Sequence, residues 1–283
     1  MSIVSKQKYI YIAVAVCALI IIGWWKIFGE NNTQEYTQKG DAFRTEGKYD
    51  LAIEAYTEAI DEDATNAEAW FQRGYCYQFT EKYEEAEADY SKVIELTPGL
   101  IEAYTNRGQV RYMIKKWSDA VSDFNYTLRF DPTDTMALYR RGFSKGKSKD
   151  IIGAITDYSQ LVRLRPQFAT AFIEAGELFK IQKDTISALG CYNEAIRIDS
   201  TNISALFYRG NTRFERKEYQ VAGDDFNRIL QLDSVNTRAL YNRGLCFFYL
   251  KKYNEACIDV GMAYELGEKE ALSFLQTYCR PKQ

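Results

Sequence analysis

The chain has 283 residues, with 36 Lys+Arg against 39 Asp+Glu for a net charge of −3, and it contains no histidine. The near balance of charge leaves no electrostatic footprint for nucleic acid, and the missing imidazole removes the side chain most used near neutrality for proton transfer and the commonest metal ligand. The six cysteines, at 17, 76, 191, 246, 257 and 279, form no C-x-x-C pair and no metal-ligand spacing, so the expectation is no metal, no cofactor and no enzyme.

A short N-terminal tail, 1–8, carries Lys6 and Lys8. The run from Tyr9 to Trp25 then holds no charge; its length as a helix is about 26 Å, and extension through Lys26 to Phe28 fills a bilayer core of roughly 30 Å. Tyr9 and Tyr11 stand at one end and Trp24 and Trp25 at the other, where interfacial aromatics belong. A cleaved signal peptide is the rival reading, but bulky Trp24, Trp25 and Phe28 occupy the place where small residues would be needed for cleavage. The expectation is therefore a transmembrane anchor over 9–28, followed by a linker over 29–32. The lysines before the span favour a cytoplasmic N-terminus, which turns the rest of the chain outward, into the periplasm if the organism is bacterial.

From Thr33 onward one interval governs the sequence. Gly40, Gly74, Gly108, Gly142, Gly176, Gly210 and Gly244 recur every 34 residues, each followed twelve residues later by an alanine: Ala52, Ala86, Ala120, Ala154, Ala188, Ala222 and Ala256. Four residues beyond the alanine comes an aromatic, Tyr56, Tyr90, Phe124, Tyr158, Tyr192 or Phe226, until Val260 breaks the series. A fixed period of this length marks a helix pair too small to bury its own apolar face, which becomes stable by stacking on copies of itself. Glycine and alanine fall where helices must approach closely, and Pro98, Pro132 and Pro166 follow second helices, where a missing donor and a fixed φ end a helix at little cost. Beyond the last unit, Ala271, Leu272, Leu275 and Tyr278 sit at helical spacing and read as a capping helix within 271–283.

These ladders, the bulky residue four before each glycine (Tyr36, Trp70, Tyr104, Leu138, Phe172, Leu206, Leu240) and the repeat-ending prolines resemble the tetratricopeptide repeat (TPR) family. The resemblance covers 33–270 as seven repeats. It implies an all-α fold: a right-handed superhelical solenoid of seven TPR helix pairs with a C-terminal capping helix, preceded by one transmembrane helix, and with a concave groove for a peptide or protein.

Comparison of the repeats with one another exposes an ion-pair rule. Arg73, Arg107, Arg141, Arg209 and Arg243 directly precede their glycines, and sixteen residues after each stands Asp89, Asp123, Asp157, Asp225 or Asp259; the two units that lack the arginine, at Lys39 and Ala175, also lack the aspartate, at Ala55 and Cys191. Paired presence and absence predicts structural ion pairs between the two helices of one repeat. The fifth repeat, with Glu174, Glu177 and Cys191 in place of a pair, is the expected soft joint. Cys76 and Cys246 occupy one packing slot, and a bridge between Cys246 and Cys257 stays open.

In the resembled family the groove is lined by slots three before and one, four and five after the glycine. Carried over, they give Phe71, Tyr75, Phe79, Tyr112, Tyr139, Phe143, Phe207, Phe214, Tyr241 and Phe248, with Met113 and Tyr249, and with Asn106, Arg140, Asn211 and Asn242 to hold a peptide backbone or carboxylate. The basic clamp that some family members use for acidic C-termini is missing, since only Asn106 and Arg140 remain of its polar set. The expected function is a membrane-anchored scaffold binding a protein or extended peptide in an aromatic groove, in envelope assembly, secretion or quality control. The alternative is a permanently bound accessory subunit of a membrane enzyme or transport complex. Expected partners are a protein or peptide and the membrane, with neither nucleic acid nor metal; homo-oligomerisation stays open.

Overall fold

Apolar side chains recurring at three- and four-residue steps make each segment an amphipathic helix, and a left-handed residue ends the first helix of each pair. The computed structural model describes residues 32–279, and the regular structure among them is entirely helical. Contacts divide the chain at Pro132/Thr133 into two compact units. The first holds α1 (residues 32–45), α2 (Tyr49–Glu62), α3 (Ala67–Phe79), α4 (Tyr83–Leu96), α5 (Ile101–Met113) and α6 (Trp117–Phe130). The second holds α7 (Thr135–Lys147), α8 (Ile151–Leu164), α9 (Ala169–Ile181), α10 (Thr185–Ile198), α11 (Ile203–Glu215), α12 (Tyr219–Leu232), α13 (Thr237–Tyr249), α14 (Tyr253–Glu265) and α15 (Ala271–Tyr278).

The expected anchor over 9–28, the tail 1–8 and most of the linker lie outside the described residues; Asn32, assigned to the linker, is already helical. Among the described residues no helix is long and apolar enough to cross a membrane.

Within each unit every helix packs on the next, and first helices also touch first helices: α3 on α5 in one unit, and α7 on α9, α9 on α11 and α11 on α13 in the other. The units are therefore solenoidal, with α3 and α5 sharing a face in the first and α7, α9, α11 and α13 in the second. The alanine ladder is fully buried at all seven positions. The aromatic ladder supplies the largest buried rings, and its contact is the glycine: a methyl built on Gly74, Gly108 or Gly142 would lie 3.1–3.2 Å from the ring of Tyr90, Phe124 or Tyr158. The missing side chain is the space that the ring uses.

The turn inside each helix pair repeats as well. Glu81, Lys115, Lys149, Lys183, Lys217 and Lys251 adopt φ between 59° and 69°, and Gly47 takes the same place in the first pair at 75°. At α3 the Glu81 N–H donates to Gln78 O and the Lys82 N–H to Tyr77 O, the double hydrogen bond of a Schellman cap. Asn66, Asp134, Asn202 and Asn236 cap the starts of α3, α7, α11 and α13 by accepting backbone N–H groups, whereas Leu100 and Phe168 precede α5 and α9 without a side-chain cap.

At the C-terminal end, α15 covers the last helix pair. Ala271 and Phe274 join Leu240, Val260 and Ala263 in one core cluster, and Cys257 of α14 forms a disulfide with Cys279, just past α15. The Cys246–Cys257 pairing left open by the sequence is therefore not the one formed. Cys246 is a buried free thiol packed against Leu206, Phe226 and Ile229, and burial pushes its pKa up to about 12. Helical spacing placed Cys246 and Cys257 on neighbouring helices, but only the return of α15 over α14 brings Cys279 within reach.

Candidate protein-binding faces of the first helices

The Arg and Asp ladders meet inside each pair. Arg73 donates from Nε and Nη2 to the two carboxylate oxygens of Asp89, both at 2.8 Å, and Arg107, Arg141, Arg209 and Arg243 grip Asp123, Asp157, Asp225 and Asp259 through the same two nitrogens. The aspartates are at most 4 % exposed. Burial outweighs the Arg73 contacts and lifts the Asp89 carboxyl above its ordinary range. The third nitrogen, Nη1, reaches the preceding pair: Arg73 to Thr57, Arg107 to Ser91, Arg209 to Asn193 and Arg243 to Asn227. One guanidinium thus ties together three helices, a link that the 16-residue spacing within a repeat did not contain. Three aspartates gain a second cation three residues after the glycine, Arg111, Lys145 or Arg213. In the α3 and α13 pairs an aromatic takes that slot, Tyr77 or Phe247, and lies under the guanidinium of Arg73 or Arg243.

Two pairs do without the clamp, and both use tyrosine. The Tyr56 hydroxyl donates to Asp41 at 2.8 Å, and the Tyr192 hydroxyl donates to Glu177. Asp41 and Glu177 are the only acids directly following a ladder glycine. The rings also sit closer, with a methyl on Gly40 or Gly176 falling 2.5 Å from Tyr56 or Tyr192.

The expected groove aromatics lie on first helices, and all but Phe79 and Tyr249 are half-buried. In the first unit Phe71 packs edge-on against Tyr90, and Tyr75 leans on Phe79, which stacks on Tyr49. Tyr112 meets Trp117 edge-on, and Asn106 is half-buried on the same helix. In the second unit Tyr139 touches Tyr158 and Phe168, while Phe143 lies under the Lys147 ammonium at 4.9 Å. Phe207 packs on Phe226; Phe214 meets Tyr219 and Tyr249, which stack on each other at 4.6 Å. Asn242 donates to Asn211 at 3.3 Å, so these two amides form a ladder between α11 and α13, and Arg140 is half-buried on α7. Tyr241 packs into the terminal core cluster. Phe248 is covered by α15 through Phe274 and Tyr278, at 5.2 and 4.6 Å between ring centroids. The capping helix therefore occupies the surface that its slot in the pattern assigns to a ligand.

Between α7, α9 and α11 the second unit opens a cavity of about 300 Å³. Its walls include Phe143, Lys147, Glu174, Glu177, Ile181 and Tyr208. Burial raises the Glu174 carboxyl above its ordinary range. Phe143, Lys147, Glu177 and Ile181 stand at groove slots, whereas Glu174 and Tyr208 stand two before their glycines and fall outside them. The available signal was the pair of acids around Gly176.

Two family models match the sequence: one described as TPR repeat over residues 40–78 and one described as Tetratricopeptide repeat over residues 67–100. No curated protein matches the chain. Among solved structures, a tetratricopeptide repeat protein from Parabacteroides merdae is similar at a TM-score of 0.60 and 18% identity, over 88% of this chain and 100% of that one. YrrB, described as a TPR protein with an unusual peptide-binding site, is similar at a TM-score of 0.60 and 20% identity, over 64% of this chain and 95% of its own. MamA is similar at 0.57 and 23%, over 61% of this chain and 94% of its own. At such identities the likeness is one of fold. The matched models show tetratricopeptide repeats within residues 40–100, and the solved structures share the helical fold over a larger part of the chain.

Proposed function

We propose that the chain is a membrane-anchored scaffold in which all seven helix pairs act as tetratricopeptide repeats and the first-helix faces hold a protein or an extended peptide. The observation that carries the reading is the series of half-buried rings on those faces, Tyr75, Tyr112, Tyr139, Phe143 and Phe207. Each is fixed by neighbouring rings or cations yet keeps part of its surface in solvent. Such a ring offers contact area without a large loss of side-chain freedom on binding, the property that enriches tyrosine and phenylalanine in interface centres. The description of YrrB as a peptide-binding TPR protein supports the same use of the fold.

The uncharged run from Tyr9 to Trp25 is long enough to hold the scaffold at a membrane, where confinement raises its effective concentration toward membrane partners. The Cys257–Cys279 disulfide supports an array facing an oxidising compartment, in agreement with Lys6 and Lys8 before the span. The role is in envelope assembly, secretion or quality control.

Photo-reactive groups placed at Tyr75, Tyr139 and Phe207 in native membranes, followed by mass spectrometry, are expected to capture a protein partner. Labelling from exposed second-helix positions such as Ile152 and Ile186, with none from the first helices, would overturn the assignment. A partner that stays stoichiometric through high salt would instead identify an accessory subunit of a larger complex. Protease accessibility on sealed membranes tests the orientation, with digestion only from the outer side expected.

A further inference from the structure

The cavity between α7, α9 and α11 carries an unbalanced charge. Glu174 is half-buried and forms neither a hydrogen bond nor an ion pair with any described residue. Its neighbours form their bonds elsewhere: Lys147 acts on it only by its charge and holds its ammonium 4.9 Å above the Phe143 ring, Glu177 accepts the Tyr192 hydroxyl, and Lys180 pairs with Glu215 at 2.8 Å. In five other helix pairs an arginine beside the glycine meets the buried carboxylate of its own repeat, whereas here Ala175 fills the arginine slot. A carboxylate removed from water without a partner is costly, and a cation brought in from outside would remove that cost. The rest of the lining gives the shape of such a cation. Phe143 and Ile181 provide apolar walls that fit a methylene stem, and Tyr208 adds a ring face beside the acid. The volume of about 300 Å³ lies at the lower end of ligand pockets, roughly 300–1,000 Å³, which suits one side chain better than a complete small molecule.

On the reading that first-helix faces bind peptides, we infer that this cavity is a specificity pocket for a lysine or arginine side chain of the partner, with Glu174 as the residue that pairs with it. Lys147 opposes the pairing by its charge, so it tunes the pocket against weakly basic segments.

The test uses the full chain as bait for a displayed library of short random peptides, followed by binding measurements on the peptides retained. The retained peptides are expected to contain a basic residue. Replacing that lysine by norleucine, or that arginine by citrulline, should weaken binding about tenfold to the unaltered chain and no more than about twofold to Glu174→Gln, the difference expected of one desolvated charge pair. Glu174 makes no bond that the fold needs, so this variant keeps its structure, which circular dichroism checks. Lys147→Met should tighten the same peptides. Peptides that crosslink to α7, α9 and α11 but do not need their basic residue, or that lose equally on both proteins, would overturn this inference alone. An absence of retained peptides, or crosslinks confined to second helices, would overturn the groove reading and this inference with it.

Discussion

The α7/α8 and α9/α10 pairs share a period, a glycine and a buried tyrosine, but they are fastened differently. The first is capped by Asp134 and clamped by Arg141 on Asp157, with Lys145 on the second oxygen side at 3.0 Å. The second begins at Phe168 without a side-chain cap, and its tyrosine swings closer to the glycine to reach Glu177. A charged clamp leaves its carboxylate neutralised within the fold. A tyrosine clamp satisfies one acid and leaves Glu174 beside it without an ion pair, with only the Lys147 charge acting on it through space. Of these two pairs, the one that departs from the internal rule is the one that leaves an acid open to chemistry from outside.

The largest effect that would break this comparison comes from moving the clamp. Cys191→Asp alone places a carboxylate among half-buried neighbours with no arginine and should cost about 3 kcal/mol, the usual penalty for half of a buried pair. Adding Ala175→Arg should restore stability to within about 1 kcal/mol, because replacement of a complete pair is close to neutral. Urea midpoints of the two variants measure the coupling, and additive losses would show that the fifth pair cannot house the clamp.

A smaller difference separates the two glycines. A methyl on Gly176 would press on Tyr192 at 2.5 Å, whereas on Gly142 it would meet Tyr158 at 3.2 Å. Gly176→Ala should cost about 3 kcal/mol and Gly142→Ala about 1 kcal/mol, spanning the range of overpacking penalties. Equal losses in thermal unfolding would mean that the tyrosine hydroxyl bond does not fix the ring.

Glu174→Gln should stabilise the free chain by about 1 kcal/mol, since it removes a poorly compensated charge. The pH dependence has a defined sign. The folded carboxyl of Glu174 lies above its ordinary value because of burial, so the folded state holds this proton more tightly and the penalty is relieved as pH falls into the carboxylate range. The variant should lose that acid-side gain. Glu87 behaves oppositely: burial would raise its carboxyl, but hydrogen bonds from Lys116 and Arg111 hold it below the ordinary range, so its contribution is present above that range and lost as pH falls through its folded value.

The smallest effect should be the same in both pairs. Lys149 and Lys183 each sit at positive φ, a conformation that costs a residue with Cβ roughly 1–2 kcal/mol, while glycine adds unfolded-state entropy. Lys149→Gly and Lys183→Gly should each stabilise by about 0.5 kcal/mol. An unequal response by hydrogen exchange would show that the two turns differ as well as the two clamps.

How much of this was legible follows from the range of each interaction. The period places glycine against ring because both positions are set by helix geometry inside one repeat, and the matched presence of Arg and Asp pointed to their pairing for the same reason. The turn lysines gave no signal, since six of seven such positions lack the glycine that usually marks them. Glu174 was read only as part of a soft joint and Tyr208 was passed over, because their slot lies outside the inherited lining pattern, and only the packing of α7, α9 and α11 brings them to one cavity.

By itself, then, the sequence determined the all-helical repeat, its period, the buried ladders and the positions of first-helix aromatics, all consequences of local periodicity. Tertiary structure alone decided which cysteine meets Cys257, that α15 covers Phe248, that Arg73, Arg107, Arg209 and Arg243 also reach the preceding pair, and that Glu174 forms no hydrogen bond or ion pair with a described residue. Those outcomes depend on side chains from different repeats or from the chain end meeting in space, where the 34-residue rule gives position along the helix and not the neighbour across it.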